Sequence, residues 1–197
     1  MSSRGRGLAA KAHDNYPTPI ALVRAGYEML GEHHGAWLST VDSVLEPGAG
    51  PGTFCHVAKR YCKSLNGTVV GVDPFPPKER YEYHLIQQDF LQWNTQQKFR
   101  LIITNPPFTL SEDFIRKSQD LLTPDGKMLY LLRIGMAASK KRRELWESTN
   151  LEEIWMCRKR PGFTRNGSSD SSEYAFFLID NQREKCSQDT RFRWVDW

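Results

Sequence analysis

Short apolar runs alternate along this chain with segments whose apolar residues recur every three or four positions. The runs fall near residues 43–46, 68–72, 84–87, 100–104, 127–133, 152–157 and 174–179. Each is short and bounded by turn residues, the pattern of a strand. Helical spacing lies between most of them and is clearest at 111–122 and 137–148. A further helix begins at Pro19-Ile20-Ala21-Leu22-Val23, with proline in its first turn and Thr18 as its expected cap. Ser111 with Asp113 opens the 111–122 helix, and Thr123-Pro124-Asp125-Gly126 is a turn into the apolar strand Met128-Leu129-Tyr130-Leu131-Leu132. Alternating strands and helices predict an α/β fold with a parallel, doubly wound sheet and ligands at the carboxyl ends of its strands.

The residues at those ends carry the chemistry. Asn105-Pro106-Pro107-Phe108 follows the buried-looking run Leu101-Ile102-Ile103-Thr104. Asn105 offers a side-chain carbonyl, and the proline after it pushes it toward an extended conformation. The two prolines stiffen the loop and present carbonyl acceptors. Phe108 adds a flat apolar face for a purine. Two acceptors gripping an exocyclic amine such as adenine N6 pull it toward tetrahedral geometry and free its lone pair for attack. A plain Pro-rich turn after a strand is the alternative.

Upstream, Val44-Leu45-Glu46 leads into Pro47-Gly48-Ala49-Gly50-Pro51-Gly52 and a helix-like stretch. This is strand, glycine turn, helix, in which glycines let backbone approach a ligand. The next strand ends at Asp73, about 20 residues on, where a carboxylate can accept from a ribose. A turn aspartate before Pro74 is the other reading. Asp89, followed by Phe90, sits where a third strand ends. Asp89 is placed to accept from an adenine amino group, with Phe90 packing beside the ring.

In this order, Glu46-Pro-Gly-Ala-Gly-Pro-Gly, Asp73, Asp89-Phe90 and Asn105-Pro-Pro-Phe resemble the motifs of class I S-adenosylmethionine (SAM)-dependent methyltransferases. The Asn-Pro-Pro-Phe form points to the amino-methylating branch, especially DNA N6-adenine methyltransferases of the small phage type. Asp14-Asn15-Tyr16-Pro17-Thr18-Pro19 is similar to the element that packs over SAM in that branch, and Arg160-Pro161-Gly162-Phe163-Thr164 through Phe177 resembles its tail.

The resemblance implies a Rossmann-like, mostly parallel seven-stranded sheet with helices on both faces and an antiparallel strand at 174–179. It implies SAM over Glu46, Pro47, Gly48, Ala49 and Gly50, with Asp73 on the ribose and Asp89 and Phe90 at the adenine. Tyr16, Pro17 and Thr18 would close over the methionine end, and Asn105 would reach both cofactor and acceptor. The target adenine would be flipped from its stack, held by Asn105 and the Pro106 carbonyl, and sandwiched between Phe108 and Phe163. Glu46 is expected to organise the glycine loop rather than do chemistry.

At 197 residues, with 39% hydrophobic and 25% charged residues, the chain fits one domain. Residues 1–13 read as a flexible basic tail and 14–197 as a single methyltransferase domain without a separate target-recognition domain. No apolar stretch is long enough for a bilayer, no leader opens the chain, and no membrane partner is expected. Cys55, Cys62, Cys157 and Cys186 show no paired metal spacing; free thiols in a reducing cytoplasm, bacterial or phage-infected, and no metal are expected.

Two basic clusters follow the Pro-Pro loop: Lys140, Lys141, Arg142 and Arg143, then Arg158, Lys159 and Arg160. With Trp146, Trp155 and Phe163 nearby they make the mixture a nucleic-acid surface wants, although a solvated face is the plain alternative. DNA is the expected partner, with short loops, the basic helix, a homodimer or a specificity protein supplying sequence readout. RNA, a protein glutamine or cytosine N4 as acceptor, and a binding module without turnover, are the competing readings.

Overall fold

A computed structural model describes residues 17–62, 64–65, 68–78, 82–138, 140–163, 171–182 and 189–197. The basic tail, Tyr16, residues 164–170 and Cys186 lie outside them. The elements in chain order are α1 (Ile20–Leu38), β1 (Ser43–Pro47), α2 (Thr53–Tyr61), β2 (Thr68–Val72), β3 (His84–Ile86) and β4 (Phe99–Thr104). They continue with α3 (Ser111–Leu121), β5 (Leu122–Arg133), α4 (Arg143–Ser148), β6 (Leu151–Cys157), β7 (Tyr174–Asp180) and β8 (Arg191–Val195).

All eight strands form one sheet in the order β3-β2-β1-β4-β5-β7-β6-β8. β7 runs antiparallel to β5 and β6, and every other neighbour is parallel. The order reverses between β1 and β4, which opens a crevice at the carboxyl ends of those strands.

The central strands are apolar on both faces because both are covered. On one face Val44, Leu101, Leu129 and Phe176 pack with Leu22, Tyr27 and Leu30 of α1 and Phe54 of α2. On the other, Leu45, Ile102, Met128 and Phe177 pack with Phe114 and Ile115 of α3 and Leu145 of α4. Tyr27 is fully buried and places its hydroxyl 3.1 Å from the Phe54 carbonyl, which ties α1 to α2.

Four expectations change. An eighth strand extends the sheet beyond β6. The helix expected at 137–148 is two 3-10 turns, Ile134–Met136 and Lys140–Arg142, followed by the six-residue α4. The turn at 123–126 falls within β5, where its register against β4 shifts between Phe99 and Leu101. Thr18 does not cap α1: Pro19 holds the cap position with no side-chain bond, and the Thr18 hydroxyl faces Asn105 instead.

Candidate active site

β1 ends at Pro47, and the chain turns through residues 48–52 into α2. Gly48, Gly50 and Gly52 have φ of 67°, 50° and 71°, in the left-handed region that only glycine enters without strain. A Cβ on Gly52 would meet the Tyr83 hydroxyl at 1.6 Å, and one on Gly48 would press on the Phe114 ring at 3.2 Å with Pro107 at 3.6 Å. Tyr83 thus closes one side of the turn, and the Pro-Pro loop reaches the other. The N–H groups of Gly48 and Ala49 donate to the Val72 carbonyl at 2.8 and 3.1 Å, hooking the turn onto the end of β2.

Two carboxylates brace this turn. Glu46 is 3% exposed and accepts the Cys55 N–H at 2.7 Å, in the first turn of α2. Burial pushes its carboxyl up to about 8, against hydrogen bonds from Cys55 and Phe54 that pull it down. Asp73, buried just past β2, accepts the Gly50 N–H on Oδ2 and the Phe75 N–H on Oδ1, both at 2.8 Å. A carboxylate oxygen has two acceptor positions, so each keeps one for a ligand.

Asp89 accepts the Leu91 N–H at 2.9 Å. Phe90 is 1% exposed, its ring 4.9 Å from Phe114 with the Lys117 ammonium 5.2 Å from its centroid. The Phe90 ring therefore belongs to the hydrophobic core packed with Phe114.

The Asn-Pro-Pro-Phe loop leaves β4 against the glycine turn. Thr104 donates its hydroxyl to the Pro47 carbonyl at 2.6 Å. Asn105 Nδ2 donates to Thr18 Oγ1 at 3.1 Å, and Asn105 Oδ1 is buried with no hydrogen-bond partner among the described residues. Leaving a buried acceptor unmet costs about 1–3 kcal/mol, so the atom marks a place suited to an incoming donor. The Pro107 carbonyl is taken by the Leu110 N–H at 2.9 Å, whereas the Pro106 carbonyl accepts no bond among the described residues. Phe108 is half-buried, and its ring meets two neighbours: the Arg133 guanidinium 4.3 Å from its centroid and the tilted Tyr174 ring at 5.6 Å.

Phe163 packs edge-on against Tyr174 at 5.0 Å and is 6% exposed. In this structure the ring is part of the core beside Tyr174 and presents no open face. Arg133, by contrast, was missed. It ends β5 and donates from Nε to the Tyr174 hydroxyl at 3.2 Å. The signal for it in the sequence is a cation closing the apolar run Met128-Leu129-Tyr130-Leu131-Leu132.

Of the basic residues, Lys140 and Lys141 are exposed and Arg142 half-buried, while Arg143 pairs with Glu147 at 2.5 Å and Arg160 with Glu173 at 2.5 Å. Both runs follow carboxyl ends of strands, on the same edge of the sheet as the glycine turn. Trp155 is fully buried and offers nothing to a nucleic acid. Surface depressions lined by Glu152, Asp180 and Arg191, and by Arg116, Gln119 and Asn150, lie at the opposite, amino edge.

A sheet with one antiparallel strand between β5 and β6, a glycine turn after β1 and an acidic residue after β2 make this the class I SAM-dependent methyltransferase fold. Over 98% of its length the chain superposes on a protein from Listeria monocytogenes assigned to that class, with a TM-score of 0.69, 13% identity and 68% of that chain covered. It superposes over 92% of its length on the methyltransferase subunit of a type I restriction–modification system from Streptococcus thermophilus, with a TM-score of 0.70, 18% identity and 47% of that chain covered. In sequence it is 34% identical over 96 residues to the type II methyltransferase M.CvrRI of Paramecium bursaria Chlorella virus XZ-6E. That match takes in 46% of this chain and 23% of the viral protein, so the chain spans about a quarter of this relative. No family model matches the chain.

Proposed function

We propose that this chain is a SAM-dependent methyltransferase acting on the exocyclic N6 amine of adenine in DNA. The observation that carries the reading is the buried, unpartnered Oδ1 of Asn105 beside the glycine turn. The viral type II relative and the restriction–modification neighbour support DNA as the substrate.

The residues fit the cofactor. The left-handed glycines leave bare backbone for close approach, Asp73 keeps an acceptor on each oxygen, and its carboxylate suits a ligand that brings hydroxyl donors. Residues 47–52 would hold SAM, with Asp73 on its ribose, Asp89 at its adenine edge and Thr18 near its methionine end. Bound there, SAM supplies a methyl group on a sulfonium, open to in-line displacement. Asn105 Oδ1 and the Pro106 carbonyl would accept the two hydrogens of the target amine and aim its lone pair. Phe108 would offer the base a face once Arg133 yields it. The protein's contribution is orientation and placed dipoles.

The test is incubation with methyl-tritiated SAM and DNA, RNA or protein, followed by nucleoside and amino-acid analysis. Label in N6-methyladenine from DNA is the expected result. Label in RNA, glutamine or N4-methylcytosine would reassign the acceptor, and no label in any of them would make the chain a binding module.

A further inference from the structure

β8 presents a surface that the catalytic reading does not use. Its residues alternate. Arg191 and Arg193 point to the face where they bind Glu152 and Glu153, and Val195 is buried there. Phe192 and Trp194 point to the other face and are 56% and 50% exposed, with their rings 5.3 Å apart. By register they stand beside Ile154 and Met156 of β6, both half-buried, and these stand beside Phe177 and Ala175 of β7. Trp146 of α4 stacks on Phe177 at 5.3 Å, so α4 covers this face as far as β7. Beyond β7 the face is apolar, aromatic and open.

Cations border it. The Arg158 guanidinium lies 5.0 Å from the Trp194 ring centroid, whereas Lys159 and Trp197 pair with each other on the opposite face, where Trp197 packs against the core with Val195. Asp196 is the carboxylate beside Arg158, at 3.4 Å, and both side chains are exposed. On the inner side, the segment with Lys140, Lys141 and Arg142 runs directly into α4, whose Glu147 is held by Arg143. Rings paired with cations give a base a stacking face and its phosphate a counter-charge in one place.

Topology connects this face to the site. β4, β5, β6 and β8 point the same way, so residues 158–160 and 196–197 follow strand ends on the edge that carries Asn105 and Arg133. From β4 to β8 is four strand spacings, roughly 19 Å at about 4.8 Å each. That equals roughly five or six stacked nucleotides at about 3.4 Å each.

We infer that Phe192 and Trp194, with Arg158, form a platform for single-stranded nucleic acid flanking the target base. The inference rests on the proposed nucleic-acid substrate and deepens it. Unpaired bases would stack on the exposed rings, while Arg158 meets a phosphate. The platform is indifferent to base identity, since every base has a π-face.

The test uses a fluorescein-labelled single-stranded DNA of about 20 nucleotides containing adenine, long enough to span both places. Anisotropy titrations compare the whole chain with a Phe192→Ala/Trp194→Ala double variant and with Arg158→Gln. The double variant should bind roughly fivefold to a hundredfold more weakly, with unchanged SAM affinity and melting. Arg158→Gln, which leaves the rings in place, should flatten the salt dependence of binding by about one phosphate contact. Trp194→Tyr should restore most of the affinity. Wild-type affinity in the folded double variant together with an unaltered salt slope in Arg158→Gln would overturn the platform. So would unchanged DNA binding with a shift in sedimentation, which would make the face a contact between protein copies. The methylation assay is read separately. A platform lost with label still reaching DNA adenine leaves the proposed function standing, and ring-dependent DNA binding without adenine label leaves the platform standing.

Discussion

Two buried glutamates, Glu46 and Glu153, show how differently one residue type is used in this molecule. Both are almost wholly removed from solvent, at 3% and 0% exposure. Glu46 ends β1 beside the glycine turn and meets backbone N–H groups but no cation. Burial therefore pushes its carboxyl up to about 8. Glu153 sits on β6 under β8. Burial pushes it up too, but His34, Arg193 and Trp155 together hold it well below the usual carboxylate range. Arg193 Nε lies 2.5 Å from its Oε2, Arg191 2.9 Å from its Oε1, and Trp155 donates to Oε2 at 2.7 Å. Its neighbour Glu152 is likewise bound by Lys127 and Arg191.

The difference separates a site from a scaffold. At the β6–β8 corner every carboxylate is met by a side chain, so the charges lock an edge strand in register and have nothing left for a ligand. His34, Glu152 and Glu153 offer atoms within 4.8 Å of one another, but a metal there would compete with two arginines and a lysine. At the glycine turn the acidic groups meet backbone N–H groups and the Cys55 side chain but no cation, and among the described residues the Asn105 side-chain carbonyl meets nothing. A polar group buried without any hydrogen-bond partner is costly, and a fold retains it where a ligand supplies the partner.

Glu153→Gln should produce the largest effect, because it leaves Arg193 against a buried neutral group and Arg191 with Glu152 alone. Breaking such a pair costs about 3–5 kcal/mol, or roughly 6–20 °C of melting temperature at this size. Thermal unfolding measures it. A loss no larger than about 1 kcal/mol would show the network to be a surface decoration, and the contrast with Glu46 would collapse.

Glu46 sharpens the comparison through pH. Its folded pKa is raised, so the stability it contributes is fully present below the unfolded value near 4.5 and lost as pH climbs to about 8. The slope over that window is about 1.4 kcal/mol per pH unit for one proton. Glu46→Gln keeps an acceptor for the Cys55 N–H and cannot ionise. Urea unfolding at a series of pH values should find the two proteins close near pH 4.5, with the wild type falling behind up to pH 8 and the gap then levelling. Parallel curves would mean that Glu46 has an ordinary pKa.

Asn105→Ala follows. Removing the acceptor should lower methylation by about a hundredfold or more, with SAM affinity near wild type by calorimetry. Loss of SAM binding in a folded variant would move Asn105 from the acceptor amine to the cofactor. Asp73→Ala should give the smallest and opposite pattern. Losing the ribose acceptor and the brace on Gly50 should weaken SAM by about 1.5–3 kcal/mol, roughly tenfold to a hundredfold in Kd. An unchanged Kd would leave Asp73 as a turn residue.

The strands through β7 were legible because alternating apolar runs, glycines and prolines are local signals. The antiparallel setting of β7 came from the resemblance and not from the pattern. β8 was overlooked because Arg191-Phe192-Arg193-Trp194-Val195 has its charges on the side that becomes buried. Read alone, alternating cations and aromatics give no sign that glutamates on β6 await the cations. Phe90 and Phe163 pack in the core, which their positions do not reveal: an aromatic beside a motif looks the same in sequence whether it faces a ligand or the core. α4 shortened because Ile134–Met136 and Lys140–Arg142 took 3-10 turns where the pattern suggested one continuous helix.

What the sequence determined alone was whatever depends on a residue and its near neighbours. The glycines that must turn with positive φ, the stiff Asn-Pro-Pro loop, and the strand and helix faces are all of this kind. The tertiary structure decided every property that depends on which distant group arrives. Glu46 is raised and Glu153 lowered by their surroundings, Asn105 is oriented by Thr18 from 87 residues away, and Arg133 covers Phe108 from the neighbouring strand. Charge, accessibility and an unmet hydrogen bond are sums over surroundings, and only the packed chain supplies the surroundings.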